Sequence, residues 1–236
     1  PPRYGVYFAP AADSAFWRFG CAWLGRDPET GEALAPPPLP DALAEAWPEG
    51  ELAELRKAPA GYGFHATLKP PFRLAAGRTL DELNAVVDGL AGRLAPFVSP
   101  DVRVAALGRF IAFREAETTD AMRALAASCV ADLDAFRAPA PPEELAKRRR
   151  AGLSARQEAM LVRWGYPYVM DEFRFHMTLT GGIADDGRRA RLAEALEDMA
   201  AAAGAAGPMP VTGFALYEQP APDAPFQLLR RIPFRG

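Results

Sequence analysis

The chain contains only two histidines, and both stand in the same five-residue frame. One copy reads Phe64-His65-Ala66-Thr67-Leu68 and the other Phe175-His176-Met177-Thr178-Leu179, with the histidines 111 positions apart. A residue this rare falling twice into one frame is hard to assign to chance. Repetition constrains a fold more than any local propensity, because each copy must build the same unit. The surroundings repeat as well. Each frame is followed by a breaker pair, Pro70-Pro71 or Gly181-Gly182, then by a helical stretch, then by two strands. In the first copy Leu80, Leu83, Val86, Val87, Leu90 and Leu94 mark one face of a helix, and strands follow at 101–107 and 110–114. In the second copy an Ala-rich helix at 188–203 precedes strands at 211–217 and 226–234.

Two strand–helix–strand–strand units with short connections predict antiparallel pairing, with helices on one face of each sheet. The expected fold is α+β and bilobal: two pseudo-twofold-related lobes around a central cleft, with the two histidine strands facing each other across it. Residues 1–236 form one domain in this reading, with lobes at 1–115 and 116–236 and termini crossing between them. The remaining elements are a first strand at 3–10, a helix from Ser14 to Gly25, helices at 119–136 and 143–164, and a strand at 172–180. Residues 26–60 hold many of the prolines and read as a surface excursion with one helical stretch at 41–47. The stretches 26–60 and 138–170 are candidates for lids over a small substrate.

Strand parity sorts the motif residues. Side chains alternate faces with period two, so His65 and Thr67 share one face while Phe64, Ala66 and Leu68 share the other. His176 and Thr178 separate in the same way from Phe175, Met177 and Leu179. The polar pairs are expected in the cleft and the apolar trios under the helices. Lys69, Arg174 and Thr180 have the parity of the polar pairs if the strands are regular that far. Tyr7, Tyr62, Tyr166 and Tyr168 are candidates to stack on a base or sugar.

Composition narrows the partners. Half the residues are apolar and 24% are charged, which excludes a chain disordered throughout. The net charge of −3 argues against a broad nucleic-acid or anionic-membrane surface, and the run Lys147-Arg148-Arg149-Arg150 reads as a solvated helix face. No apolar run approaches the roughly 20 residues of a spanning helix. Cys21 and Cys129 form no CxxC or Cys–His cluster and read as buried free thiols of a reducing compartment. The chain opens on Pro1 rather than Met, as expected of a trimmed N-terminus, and nothing resembles a secretory signal, so the cytoplasm is the expected location.

Two imidazoles across a pocket suit general acid–base chemistry, because an ordinary histidine titrates near pH 6.5 and either protonation state is cheap at neutral pH. Displacement at phosphorus needs a proton taken from the attacking oxygen and one given to the leaving oxygen. Threonine hydroxyls beside the histidines supply hydrogen bonds to the phosphoryl oxygens. Two histidines with no Cys, Asp or Glu set beside them make a poor zinc site, and no cofactor is implied.

Paired H-x-T motifs in both halves of a chain resemble those of the 2H phosphoesterase superfamily. The wording Tyr4-Gly5-Val6-Tyr7-Phe8 and Gly61-Tyr62-Gly63-Phe64-His65-Ala66-Thr67-Leu68-Lys69-Pro70-Pro71-Phe72 looks most like a bacterial group associated with phosphonate-utilisation operons. The resemblance implies that His65 and His176 are the catalytic pair and Thr67 and Thr178 the phosphate-binding pair. It also implies a cyclic phosphodiesterase acting on a small cyclic phosphate of a sugar or nucleotide. Lys69, Arg174, Tyr7 and Tyr62 are further substrate-binding candidates, and a monomer or weak dimer is expected. Two rivals stand beside this reading: a module that binds a phosphorylated ligand without turnover, and an RNA 2′,3′-cyclic phosphate processing or 2′-5′ ligation enzyme. The second would need a long basic groove.

Overall fold

The structure is a computed structural model that describes residues 1–236. Its elements in chain order are β1 (Arg3–Phe8), α1 (Ala15–Leu24), α2 (Asp41–Ala44), α3 (Glu49–Tyr62), β2 (Ala66–Phe72), α4 (Leu80–Ala91), β3 (Phe97–Leu107), β4 (Phe110–Glu115), α5 (Asp120–Asp132), α6 (Pro142–Arg149), α7 (Ala155–Trp164), β5 (His176–Thr178), α8 (Asp186–Ala202), β6 (Gly207–Val211), β7 (Gly213–Gln219) and β8 (Gln227–Pro233). The fold is α+β. All eight strands join one curled antiparallel sheet in the order β6-β3-β4-β5-β2-β1-β7-β8.

The motif strands β2 and β5 lie in the middle of this sheet and pair with each other, Ala66 against Met177. They are therefore neighbours rather than opposed walls, and the cleft lies over one face of a continuous sheet. On one side of this seam stand β2-β1-β7-β8 and on the other β5-β4-β3-β6. Each side draws strands from both halves of the chain, since the first two strands pair with the last two and the middle strands pair among themselves. The repeat read from the sequence is present as β2–α4–β3–β4 and β5–α8–β7–β8, with β6 added before β7 in the second copy. A strand and a helix precede each motif strand, β1 and α1 before β2 and β4 and α5 before β5.

The apolar trios lie on the helical side. Phe64, Ala66, Leu68, Phe175, Met177 and Leu179 are all buried. Phe64 meets Phe113 of β4 edge-on at 5.8 Å, and Phe16 and Phe19 of α1 close over the same ring at 5.6 and 5.9 Å. Gly20 of α1 is required there, because a Cβ would stand 2.4 Å from the Phe64 ring. Thr119 caps α5, and Thr79 with Glu82 forms a capping box on α4. The stretch 143–164 is two helices rather than one: α6 ends near Gly152, whose φ of 73° suits only glycine, and Ser154 starts α7 with its own capping box.

Candidate active site

The Ala66–Met177 register arranges the four polar motif residues. Carried one step to each side, it sets His65 opposite Thr178 and Thr67 opposite His176. The four side chains form a square on the open face of the sheet, with the histidines on one diagonal and the threonines on the other. Directly opposed residues of antiparallel strands have Cβ atoms about 5 Å apart, so the square is the size of one phosphoryl group.

Each histidine is oriented in the same way. His65 Nδ1 lies 2.9 Å from the Gly63 carbonyl and His176 Nδ1 lies 2.8 Å from the Arg174 carbonyl. A carbonyl only accepts, so Nδ1 carries the proton in both rings and Nε2 of the neutral ring keeps its lone pair. His65 Nε2 lies 3.1 Å from Thr67 Oγ1, while His176 Nε2 makes no protein hydrogen bond. Burial pushes both imidazoles below their usual pKa. His65 falls to about 4, mainly by desolvation, against the Gly63 bond and with a further push from His176. His176 is lowered by desolvation and by the Arg114 guanidinium, against its bond to Arg174.

His65 also sits in an aromatic box. Tyr7 stacks on it at 3.9 Å with an interplanar angle of 21°, and Tyr217 and Tyr62 lie 6.0 and 6.3 Å away. Gly5 makes this possible, since a Cβ there would be 2.7 Å from the Tyr7 ring. Tyr62 in turn stacks on Phe226 at 5.1 Å.

Two adjoining cavities of about 370 and 410 Å³ lie over the square and share Thr67, Pro70, Phe110 and Tyr166. His65, Thr178, Tyr7 and Tyr62 line the first. His176 and Arg174 line the second. Parts of both candidate lid segments border them: Ala58 and Pro59 from the first, and Arg148, Gln157, Tyr166, Tyr168 and Val169 from the second. Thr180 lines the first cavity, buried, with its hydroxyl accepting from the Ile111 amide at 3.0 Å.

Lys69 is not in the cleft. The pairing of β1 with β2 slips by one residue, Tyr7 facing Thr67 while Val6 faces Lys69. That bulge turns Lys69 to the helical side. There it is 1% exposed, donates to the Val130 carbonyl at 2.9 Å and stands 3.6 Å from Asp134. Desolvation lowers it to about 8.

Several cleft residues escaped the sequence reading. Arg3 has the parity of Tyr7 on β1, which was the available signal. Arg148 was read as part of a solvated run. Lys147, Arg149 and Arg150 are exposed, but Arg148 turns in over the Tyr166 ring at 4.5 Å and lines the first cavity. Phe110, 5.6 Å from His176, had no local signature. Nowhere do three or more His, Cys, Asp or Glu side chains gather into a metal-ligating group. No helix is long and apolar enough to cross a membrane.

The chain is similar to several known proteins. The chain is 40% identical over 236 residues to a protein of Janthinobacterium sp. (strain Marseille) named Ribose 1,5-bisphosphate phosphokinase PhnN. It is 38% identical over 230 residues to a protein of the same name from Laribacter hongkongensis (strain HLHK9). These alignments cover 99% and 98% of this chain but 51% of each relative, so the chain spans about half their length. A solved structure described as that of a phosphoesterase aligns over 100% of the chain and 99% of its own, with a TM-score of 0.43 and 13% identity. The model of a family described as "Protein of unknown function (DUF1045)" matches residues 67–227, a stretch that contains Thr67, His176 and Thr178. The chain belongs to the DUF1045 family.

Proposed function

We propose that this chain is a two-histidine phosphoesterase that opens a small cyclic phosphodiester without a metal ion. The observation that carries the reading is the square of His65, Thr67, His176 and Thr178. A phosphoryl group seated on it has an imidazole at each end of one diagonal, which is the disposition an in-line displacement needs. Neutral His65 takes a proton from water through Nε2 as the water oxygen bonds to phosphorus. His176, protonated, gives its Nε2 proton to the ester oxygen as the phosphorus–oxygen bond breaks. The hydroxyls of Thr67 and Thr178 donate to the non-bridging oxygens as charge builds there. An anionic phosphate between the rings raises both imidazoles from their depressed values, so binding itself supplies the acid.

The relatives' name supports a sugar phosphate over RNA. Proteins twice as long, named for a kinase of ribose 1,5-bisphosphate, contain a region like this chain. Opening a 1,2-cyclic phosphate of ribose 5-phosphate by water yields that bisphosphate, so such a module would feed such a kinase. The cleft itself offers pockets rather than a long basic groove.

The test is turnover of nucleoside 2′,3′-cyclic phosphates, ribose 1,2-cyclic phosphate 5-phosphate and a 2′-5′-linked dinucleotide, all with excess EDTA. Wild type is expected to open one of the cyclic esters, with His65→Ala and His176→Ala each losing at least roughly 100-fold. Activity that survives either substitution, or that EDTA abolishes, overturns the reading.

A further inference from the structure

The first cavity contains more positive charge than the reacting phosphate needs. Its wall includes Arg3 and Arg148 and no Asp or Glu, in a chain whose acidic residues outnumber its basic ones. Both arginines line the cavity that contains His65, and neither lines the one that contains His176. The Arg148 guanidinium lies over the Tyr166 ring, 4.5 Å from its centroid. Its Nε is buried with no hydrogen-bond partner. Its carboxylate partner, Glu144 at 3.4 Å, is shared with Arg73 at 3.2 Å, so the trio keeps one net positive charge. Arg3 is held by Gln219, a neutral acceptor, at 2.7 Å and lies over the Phe226 ring at 5.6 Å.

The same cavity contains a second orphan. Tyr7 is fully buried, lines the cavity, and its hydroxyl has no partner. A buried hydroxyl without a partner is costly and uncommon. Here it sits in a wall that also carries the unpartnered Nε of Arg148. Three residues around one space, Arg3, Arg148 and Tyr7, thus carry two guanidinium charges and two unpartnered donors, with no carboxylate in the wall, which suits an anion. A planar guanidinium stacked on a ring is preorganised for the bidentate grip that a phosphate takes.

We infer that Arg148, Arg3 and the Tyr7 hydroxyl form a second anion subsite on the His65 side of the cleft, which reads a terminal phosphate on the substrate in addition to the one being opened. The substrate class is then a doubly phosphorylated small sugar, one phosphate cyclic and one a monoester. This deepens the proposed function and rests on its placement of the reacting phosphate.

The test separates the two ideas. Ribose 1,2-cyclic phosphate with and without a 5-phosphate is titrated calorimetrically into the His65→Ala/His176→Ala protein, which cannot consume it, and both esters are assayed for turnover by wild type. The 5-phosphate is expected to tighten binding roughly 10- to 100-fold, the range of charged hydrogen bonds. Arg148→Met should shrink that gap to below about threefold, Arg148→Lys should restore part of it, and Tyr7→Phe should narrow it. Thermal melts identify any variant that fails to fold, and Arg3→Met gives an independent readout on another element. Equal affinity for the two esters overturns the subsite even if wild type hydrolyses both. A preserved, Arg148-dependent gap with no turnover of either ester supports the subsite and overturns the phosphodiesterase reading. If neither ester binds, both fall.

Discussion

At the scale of single residues, His65 is under an unusual constraint. It stands half-buried against Tyr7 at 3.9 Å, and the proposed reaction requires it to gain and lose a proton at Nε2. Its depressed pKa links protonation to stability, and the sign follows directly. The folded value of about 4 lies below the unfolded value of about 6.5. The neutral ring's contribution is therefore complete above pH 6.5 and is lost as the pH falls from there towards 4, because the unfolded chain takes up the proton first. Between pH 7 and 5 this linkage removes about 2 kcal/mol at most. Urea midpoints at the two pH values should show this loss in wild type and a smaller one in His65→Asn. An equal loss in both proteins would mean that His65 is not held neutral. The His/Thr square was legible because both histidines share a frame and period two sorts their neighbours. The Gly5–Tyr7 stack behind His65 was not, because nothing local in Tyr4-Gly5-Val6 says that an aromatic ring will lie across the glycine.

At the scale of elements, the sequence was clear where one pattern dominated and silent where tertiary contacts decide. Helix α4 announces itself by an apolar face and α5 by its Thr119 cap. Helix α3 does not, because only Leu52, Arg56 and Pro59 are buried along it and Pro59 lies inside it. It is fixed instead by contacts remote in sequence: Arg56 over the Trp23 ring at 5.1 Å and the Leu55 carbonyl accepting from the Gly181 amide at 2.6 Å. Strand β5 is only three residues long: Met170–Glu172 forms a 3₁₀ turn, with Met170 at a φ of 57°, and the Phe175 amide donates to the Thr118 hydroxyl at 2.9 Å rather than to a neighbouring strand. The bulge in β2 is the element-scale event that sequence parity misses, and it has a clear consequence. Lys69 belongs to the packing of α5 and not to the cleft, so Lys69→Met should leave kcat/KM within about threefold of wild type. Asp134 keeps Arg137 at 2.8 Å after the change, and removal of a desolvated cation offsets the lost bond to Val130. A loss approaching that of the histidine variants would put Lys69 back beside the substrate.

At the scale of the whole molecule, two sheet halves meet at a seam with one paired position, Ala66–Met177, and the His/Thr square straddles it. The square is thus held by what surrounds the seam: Phe64 and Phe113 below, and the α6–α7 segment above. That upper segment is the least integrated part of the cleft. It packs through its own small cluster of Val130, Met160 and Val169, flanked by Trp164, Tyr166 and Met170 and separate from the main core. Arg149–Glu158 and Arg156–Asp171 are surface pairs within the segment, and the partly exposed Arg73–Glu144 pair at 3.2 Å links it to the end of β2; such pairs contribute little. Yet it carries Arg148, Gln157, Tyr166 and Tyr168 into the cleft. Few buried contacts joined to several cleft-facing side chains is the pattern of a segment that opens locally without unfolding the rest. Met160→Ala should cost this segment about 2–3 kcal/mol. That cost should appear as faster amide exchange across residues 142–169 while the sheet exchanges as in wild type. If the segment closes on substrate as a lid, KM should rise more than kcat falls. Exchange that accelerates equally in β1 and α1 would show instead that the segment and the core unfold as one.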